Sequence, residues 1–370
     1  MDRIKQSPVK YGIILVVVLA VILGGFFLNR WWNTPLGTPL DDFTPTVETE
    51  NGKTETPEIK ETATKTVQPT ATATEAPKTA TPTPQDEPLC GGPEKMTLLF
   101  TGIDSENYTY GLADAIRIVQ IDFISGDITV LPLPRDLWVE IPISVPGVTE
   151  DITYGKLNQA YFYGTPGMGY YDSEDYGPGL LAKTLETNFD LEVDHYFTVN
   201  VHILELMIDQ IGGLPVYLPN TVYKHYFDEA RVYLEAGSYL LTGKQAEMVA
   251  RHRTVIGDFG RQKNQTILLK AFIKNMFTPE GIKQLPNLVE IYQENVLMDF
   301  SPKEISQLIC LAAKIELNED VHFLEFPQDI LTEGRQMDEV QGYRTYALTY
   351  DAEEIQQILE DLQAGKLIKE

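Results

Sequence analysis

The chain has 370 residues and a formal net charge of −25 at pH 7, from 54 acidic and 29 basic side chains. That balance excludes a broad basic face of the kind that binds nucleic acid by neutralising phosphates. The two cysteines and five histidines show no metal-ligand spacing, which excludes a zinc site.

Taken in chain order, residues 1–10 carry Arg3, Lys5 and Lys10 and precede an uncharged apolar run from Tyr11 to Leu28. The run is long enough to span a bilayer, and the positive-inside rule places residues 1–10 in the cytoplasm. Trp31 and Trp32 suit the interfacial aromatic belt. A cleaved signal peptide is the competing reading. The length of the run and the lack of a small-x-small site after it favour an uncleaved anchor over residues 11–28. Localisation follows: a single-pass protein of the cytoplasmic membrane with its C-terminal part outside. Residues 34–88 are rich in Thr, Pro, Glu, Ala and Lys, with Phe43 the only aromatic. Such a segment buries too little apolar surface to offset the entropy of ordering, so it reads as a disordered tether.

Residues 89–370 form the globular part. Strands are expected at Met96 to Phe100, at Ile116 to Phe123 and Asp127 to Leu133 around a Ser125-Gly126 turn, and at Leu137 to Ile141. A helix at Pro178 to Phe189, a strand at Val193 to Val199 and a helix at His202 to Ile211 follow, the last ending at Gly212-Gly213. Val216 to Leu218 reads as a strand, and Gly243 to Arg251 and Gly260 to Met276 as helices. The second of these is capped by Asp258. Helices near Ser301 to Ile315 and Ala352 to Leu362 and a strand at Val321 to Phe326 complete the domain. The fold class is α/β, with a mixed, largely antiparallel central sheet flanked by helices. Cys90 and Cys310 could pair outside the cytoplasm or stand as separate small buried residues.

Four motifs carry chemistry. Leu98 to Phe100 runs into Thr101-Gly102-Ile103-Asp104, and Ala113-Asp114-Ala115 follows ten residues later. Two carboxylates on adjacent strand ends suit Mg²⁺, although a turn cap and a solvated loop residue account for each taken alone. Pro132-Leu133-Pro134-Arg135-Asp136 sends Arg135 off a strand end. Lys156-Leu157-Asn158 offers two donors on an extended segment or a first helical turn. Between Arg251 and Gln265, Arg251 and Arg253 alternate, while Arg261 and Gln265 share a helix face near its N-terminus, where an anion is favoured. Gly237 to Lys244 approaches a phosphate-binding loop, but its spacing is one residue too long and Gln245 replaces the metal-binding hydroxyl. No Gly-x-Ser-x-Gly elbow is present, so a serine hydrolase has no nucleophile.

In this order the four motifs resemble the LytR–CpsA–Psr family of cell-envelope glycopolymer transferases, over essentially all of Lys95 to Gln265. The resemblance implies an α/β domain that holds a polyprenyl-pyrophosphate-linked glycan in an apolar pocket. It also implies Mg²⁺-dependent transfer of the glycopolymer to an envelope acceptor such as peptidoglycan. Carried onto this chain, Asp104 and Asp114 match the family's metal-associated aspartates. Arg135, Arg253, Arg261 and Asp258 match its catalytic positions, and Lys156, Asn158, Arg251 and Gln265 its substrate-binding ones. The chain departs from the pattern at Ser105-Glu106, Leu112-Ala113 and Asn264, where many members have arginine. Two other functions fit the same residues: a polyprenyl-pyrophosphate hydrolase, and a non-catalytic envelope protein that binds lipid or polymer.

Overall fold

The structure is a computed structural model that describes residues 29–40, 87–143, 153–224, 231–253, 257–276, 278 and 296–367. The expected cytoplasmic end (1–10), the expected span (11–28) and most of the expected tether lie outside the described residues. Among the described residues no helix is long and apolar enough to cross a membrane.

After a single 3₁₀ turn at Leu89–Gly91, β1 (Lys95–Ile103), β2 (Ala113–Asp122) and β3 (Ile128–Leu133) form an antiparallel meander. β4 (Trp138–Ile141) and β5 (Thr153–Lys156) make a separate ribbon that leads into α1 (Leu157–Gly164) and α2 (Tyr176–Phe189). β6 (His195–Asn200), α3 (Val201–Gln210), β7 (Leu214–Leu218), β8 (Val222–Tyr223), β9 (Val232–Leu234) and β10 (Gly237–Leu241) follow. Next come α4 (Gly243–Arg251), α5 (Gly257–Met276), β11 (Leu297–Met298), α6 (Pro302–Ala312) and β12 (Val321–Phe323). The hairpin of β13 (Leu331–Asp338) and β14 (Tyr343–Tyr350) and then α7 (Ala352–Gln363) close the chain.

The central sheet has the order β11-β6-β1-β2-β3-β12. It is mixed, not largely antiparallel: β6 runs parallel to β1, and β12 parallel to β3. Parallel neighbours need a crossover. The chain between β5 and β6 supplies one through α1 and α2, and the chain that returns through α6 supplies the other.

Period-two alternation gives the sheet two unlike faces. Leu99, Ile103, Ile116, Ile118, Leu131 and Tyr196 point into the main core, with Leu157, Leu180, Leu185, Ile355 and Leu359 from α1, α2 and α7. Their neighbours in sequence, Leu98, Phe100, Ala115, Phe197 and Val199, line a cavity on the opposite face. The cysteines do pair: Cys90–Cys310, with Cα atoms 5.9 Å apart, ties the 3₁₀ turn to α6 across 220 residues of sequence.

The first residues of the expected tether lie against the domain. Leu36 N–H donates to the Phe300 carbonyl at 3.0 Å, Tyr196 Oη–H donates to the Thr38 carbonyl at 2.8 Å, and Leu40 packs on the core. Composition alone misplaced this stretch, because Leu36 and Leu40 are isolated apolar residues in a polar run.

Candidate functional site

The second face of the sheet and helices α3, α5 and α6 enclose a cavity of about 1040 Å³. Asp104, Asp114, Arg251, Arg261 and Gln265 stand at one end of it. Leu98, Phe197, Phe272, Met298, Phe300 and Leu308 make most of the rest apolar. Close to the polar end, Gly102 faces Ala115 across the β1–β2 pair. A Cβ on Gly102 would come within 3.2 Å of the Ala115 Cβ, so the two small residues keep the floor low there.

Asp114, near the start of β2, is the pivot of the polar end. Arg135 Nη1 donates to its Oδ1 in a short ion pair, and Arg261 Nη1 donates to its Oδ2 at 2.9 Å. Arg261 Nη2 also reaches the Asp114 carbonyl at 2.9 Å, and Asn158 Nδ2 donates to Oδ1 at 3.4 Å. Asp258, in the first turn of α5, sits between the two arginines, 3.1 Å from Arg135 Nε and 2.8 Å from Arg261 Nη2. Lys156 Nζ pairs with Asp136 at 2.8 Å, and Asp136 lies 3.7 Å from Arg135 Nε. Four segments far apart in sequence therefore meet: the start of β2, the β3–β4 turn, the β5–α1 junction and the N-terminus of α5.

The local causes are legible. Pro132 and Pro134 hold the chain extended until Arg135 turns off the sheet. Gly257 opens α5 with φ +67°, which an L side chain rarely adopts, and so the helix starts three residues before the expected Gly260. Arg261 is 3% exposed. Two arginines and two aspartates this close and this dry contribute little net stability; such clusters point to a role in binding.

Burial pushes the Asp114 carboxyl upward, but Arg135 and Arg261 outweigh it and hold the group below its usual range. Burial lowers Arg135, and Asp114, Asp258 and Asp136 more than restore it. Arg261 is lowered, first by burial and then by Arg135. Its Nε is buried without a hydrogen-bond partner. An anion entering from the cavity would supply what that donor lacks.

The remaining expected residues fall into place less uniformly. Arg251 and Arg253 do not alternate on an extended segment: Arg251 is the last residue of α4, bound to Glu247 at 3.0 Å, and its Nη2 donates to the Asp104 carbonyl at 3.1 Å. Arg253 is exposed beyond α4 and adds its positive charge beside Arg261. Gln265 shares the cavity-facing side of α5 with Arg261, and its Nε2 donates to the Ala250 carbonyl at 3.4 Å. Asn264 turns the other way and donates to the His252 carbonyl at 3.1 Å. It fastens α5 to the segment after α4 and adds no charge to the clamp. Gly237 to Lys244 is β10 followed by the Thr242-capped start of α4.

Sequence reasoning passed over Asp136, which stands next to Arg135 in the motif, and Arg117, which lines the cavity from β2. An arginine in an otherwise apolar alternating strand was the available signal for Arg117. Tyr346 on β14, with its ring 5.9 Å from Lys156 Nζ, left no signal.

Asp104 and Asp114 both reach the polar end, but as unequal partners. Asp104 Oδ1 accepts the Leu112 N–H at 2.8 Å and closes the β1–β2 loop, while both Asp114 oxygens face arginine. Among the described residues no three metal-ligating side chains cluster. Two carboxylates fit a Mg²⁺ that takes most of its shell from water and phosphate, and they do not fit a metal caged by protein.

The fold is an α/β domain with an arginine–carboxylate cluster at one end of a long, mostly apolar cavity. The chain belongs to the LytR_cpsA_psr family, whose profile matches residues 55–364. It is 29% identical over 236 residues to the regulatory protein MsrR of Staphylococcus aureus, covering 63% of this chain and 64% of that protein. The match thus spans just under two thirds of the staphylococcal relative. It is 25% identical over 253 residues to the polyisoprenyl-teichoic acid–peptidoglycan teichoic acid transferase TagU of Halalkalibacterium halodurans, covering 64% of this chain and 75% of the relative. In fold it is similar to the crystal structure of B. subtilis TagV, with a TM-score of 0.55 at 23% identity, over 73% of this chain and 98% of that one.

Proposed function

We propose that this protein is a membrane-anchored phosphotransferase. It moves a polyprenyl-pyrophosphate-linked glycopolymer onto a cell-envelope acceptor such as peptidoglycan. The observation that carries the reading is the Arg135–Asp114–Arg261 clamp set at the end of an apolar cavity of about 1040 Å³. The cavity takes the lipid chain and the clamp takes the pyrophosphate. The name of the TagU relative, which specifies a polyisoprenyl-linked donor and a peptidoglycan acceptor, supports the same assignment.

In this reading an acceptor hydroxyl attacks the phosphorus next to the glycan. A new P–O bond forms, the bond to the bridging oxygen breaks, the polyprenyl monophosphate leaves with the electron pair, and the hydroxyl proton passes to water. Negative charge grows on the equatorial and leaving oxygens, where fixed guanidinium groups are most effective. Arg261 and Arg135 face those oxygens, Arg253 adds charge from the rim, and Arg251, Lys156, Asn158 and Gln265 shape the donor site. Asp258 holds both arginines in position. Asp104 and Asp114 would be the residues to hold Mg²⁺, which would supply Lewis-acid neutralisation of phosphate charge.

The test uses the full chain in detergent with a polyprenyl-pyrophosphoryl sugar, Mg²⁺ and soluble peptidoglycan fragments. Release of polyprenyl monophosphate only when fragments are present is the expected result. Release at the same rate without them makes the enzyme a hydrolase. Tight lipid binding with no release makes it a binding protein.

A further inference from the structure

Arg117 lines the cavity from β2 and takes no part in the clamp. It lies on β2, opposite Phe100 of β1 and Pro132 of β3, in a row that continues to Phe197 of β6. It is 2% exposed. Among the described residues no carboxylate pairs with it. Its Nη2 donates to the Gln262 carbonyl at a long 3.4 Å, and its Nη1 is buried with no hydrogen-bond partner. Burial draws its pKa down to about 10, which leaves it charged at neutral pH. An unpaired buried cation is costly, and lipid tails offer it nothing.

Its position suggests what it does pair with. Gln262 follows Arg261 in α5, so the Arg117 guanidinium reaches the same helical turn as the clamp. Along β2, Arg117 is one rung deeper than the Gly102–Ala115 pair, roughly 7 Å from Ala115 at the rise of a strand. The low floor of Gly102 and Ala115 connects the two cationic positions. Beyond Arg117 the lining is mostly apolar, with the exposed Glu316 and Asn318 following α6.

We propose that Arg117 binds the phosphate to which the lipid chain is esterified, while Arg261 and Arg135 bind the phosphate next to the glycan. The assignment rests on the lipid-pyrophosphate reading given above and divides the pyrophosphate between two sites. It also makes Arg117 the contact of the leaving group. When the bridging P–O bond breaks, the electron pair stays on the lipid phosphate, and that phosphate already faces a guanidinium with a free donor.

The full chain in detergent micelles separates the possibilities by its affinities for a polyprenol, the matching polyprenyl monophosphate and the matching polyprenyl pyrophosphate. The wild type should prefer monophosphate to polyprenol by on the order of tenfold to a hundredfold, the range for hydrogen bonds to a charged group. Arg117→Met, which fills the same space without charge, should abolish that preference and leave polyprenol affinity unchanged. It should also raise the thermal midpoint of the ligand-free protein. Arg117→Lys, which keeps the cation, should retain part of the preference. Arg261→Ala should keep the preference for monophosphate over polyprenol and lose the further gain from pyrophosphate. A full monophosphate preference in Arg117→Met, or its loss in Arg117→Lys together with its retention in Arg117→Met, overturns the assignment. A wild type that binds none of the three lipids overturns the lipid reading itself, and with it the role of Arg117.

Discussion

Asp114 decides the character of the site. Without its carboxylate, two guanidinium groups with little exposure would face each other with only Asp258 between them. The motif that contains it was legible as a site from the strand that ends in Gly102-Ile103-Asp104 and from the Pro-Arg-Asp turn. Its partner was not, because Arg261 is 147 residues away and only the fold closes that distance. Proximity in sequence favoured Asp104 as the partner of Asp114, whereas the side chains that reach Asp114 are Arg135, Arg261 and Asn158. The two arginines also differ in what they leave free. Arg135 Nε lies near Asp136 and Asp258 without a hydrogen bond to either, while Arg261 Nε has neither a hydrogen-bond nor an ion-pair partner. We expect Arg261→Ala to lower the single-turnover transfer rate by roughly a hundredfold or more, the scale for removing one transition-state donor. Arg135→Ala should lower it similarly, with some of the loss from displacement of Asp114. Near wild-type rates in both variants would remove the clamp from the mechanism.

At the level of elements, the early strands were readable because apolar alternation and the Ser125-Gly126 turn are local signals. The parallel pairings of β6 and β12 were not, since a strand's sequence says little about the direction of its neighbour. The β13–β14 hairpin escaped notice because charged residues such as Glu333, Arg335 and Arg344 interrupt its apolar alternation. α1 was missed too: its residues are buried nearly all round, from Leu157 to Tyr163, and such a short helix shows no amphipathic period. α6 forms a wall of the cavity through Ile305, Leu308 and Ala312 and is anchored to the start of the domain by Cys90–Cys310. A crosslink that closes so long a loop restricts the unfolded chain strongly. Cys310→Ser should therefore destabilise the domain by about 2–5 kcal/mol, read as a lower denaturant midpoint in equilibrium unfolding. Reductant should lower the wild-type midpoint to the same value and leave the variant unmoved.

For the molecule as a whole, the segment before residue 41 matters as much as the catalytic face. Leu36 and Thr38 are bound to the domain through Phe300 and Tyr196, and at the other side of the expected tether Leu89 N–H donates to the Phe123 carbonyl at 2.7 Å. Both flanks of residues 41–86 thus rest on one body. The number of residues between them does not set how far the domain stands from the bilayer in the anchored form we propose; residues 29–35 do. Removing residues 45–80 should leave transfer to membrane-embedded donor within about twofold of wild type, because both flanking stretches keep their contacts with the domain. Replacing Leu36 and Leu40 together by aspartate should lower it while leaving activity on detergent-solubilised donor unchanged.

If the substrate is the lipid-linked glycan we propose, the docked segment also bears on how it reaches its site. Leu36 lines the cavity beside Phe300, at the end away from Asp114 and Arg261. Each methylene of a lipid chain exposed to water costs about 0.8 kcal/mol, so an unsheltered crossing of even a few isoprene units is prohibitively slow. In the anchored, lipid-linked form we propose, a chain that leaves the bilayer and soon forms part of the cavity's apolar wall would offer the lipid a greased ramp. The tail can slide from one oily phase to the other while its head stays wet, and extraction becomes a lateral movement without a desolvation barrier.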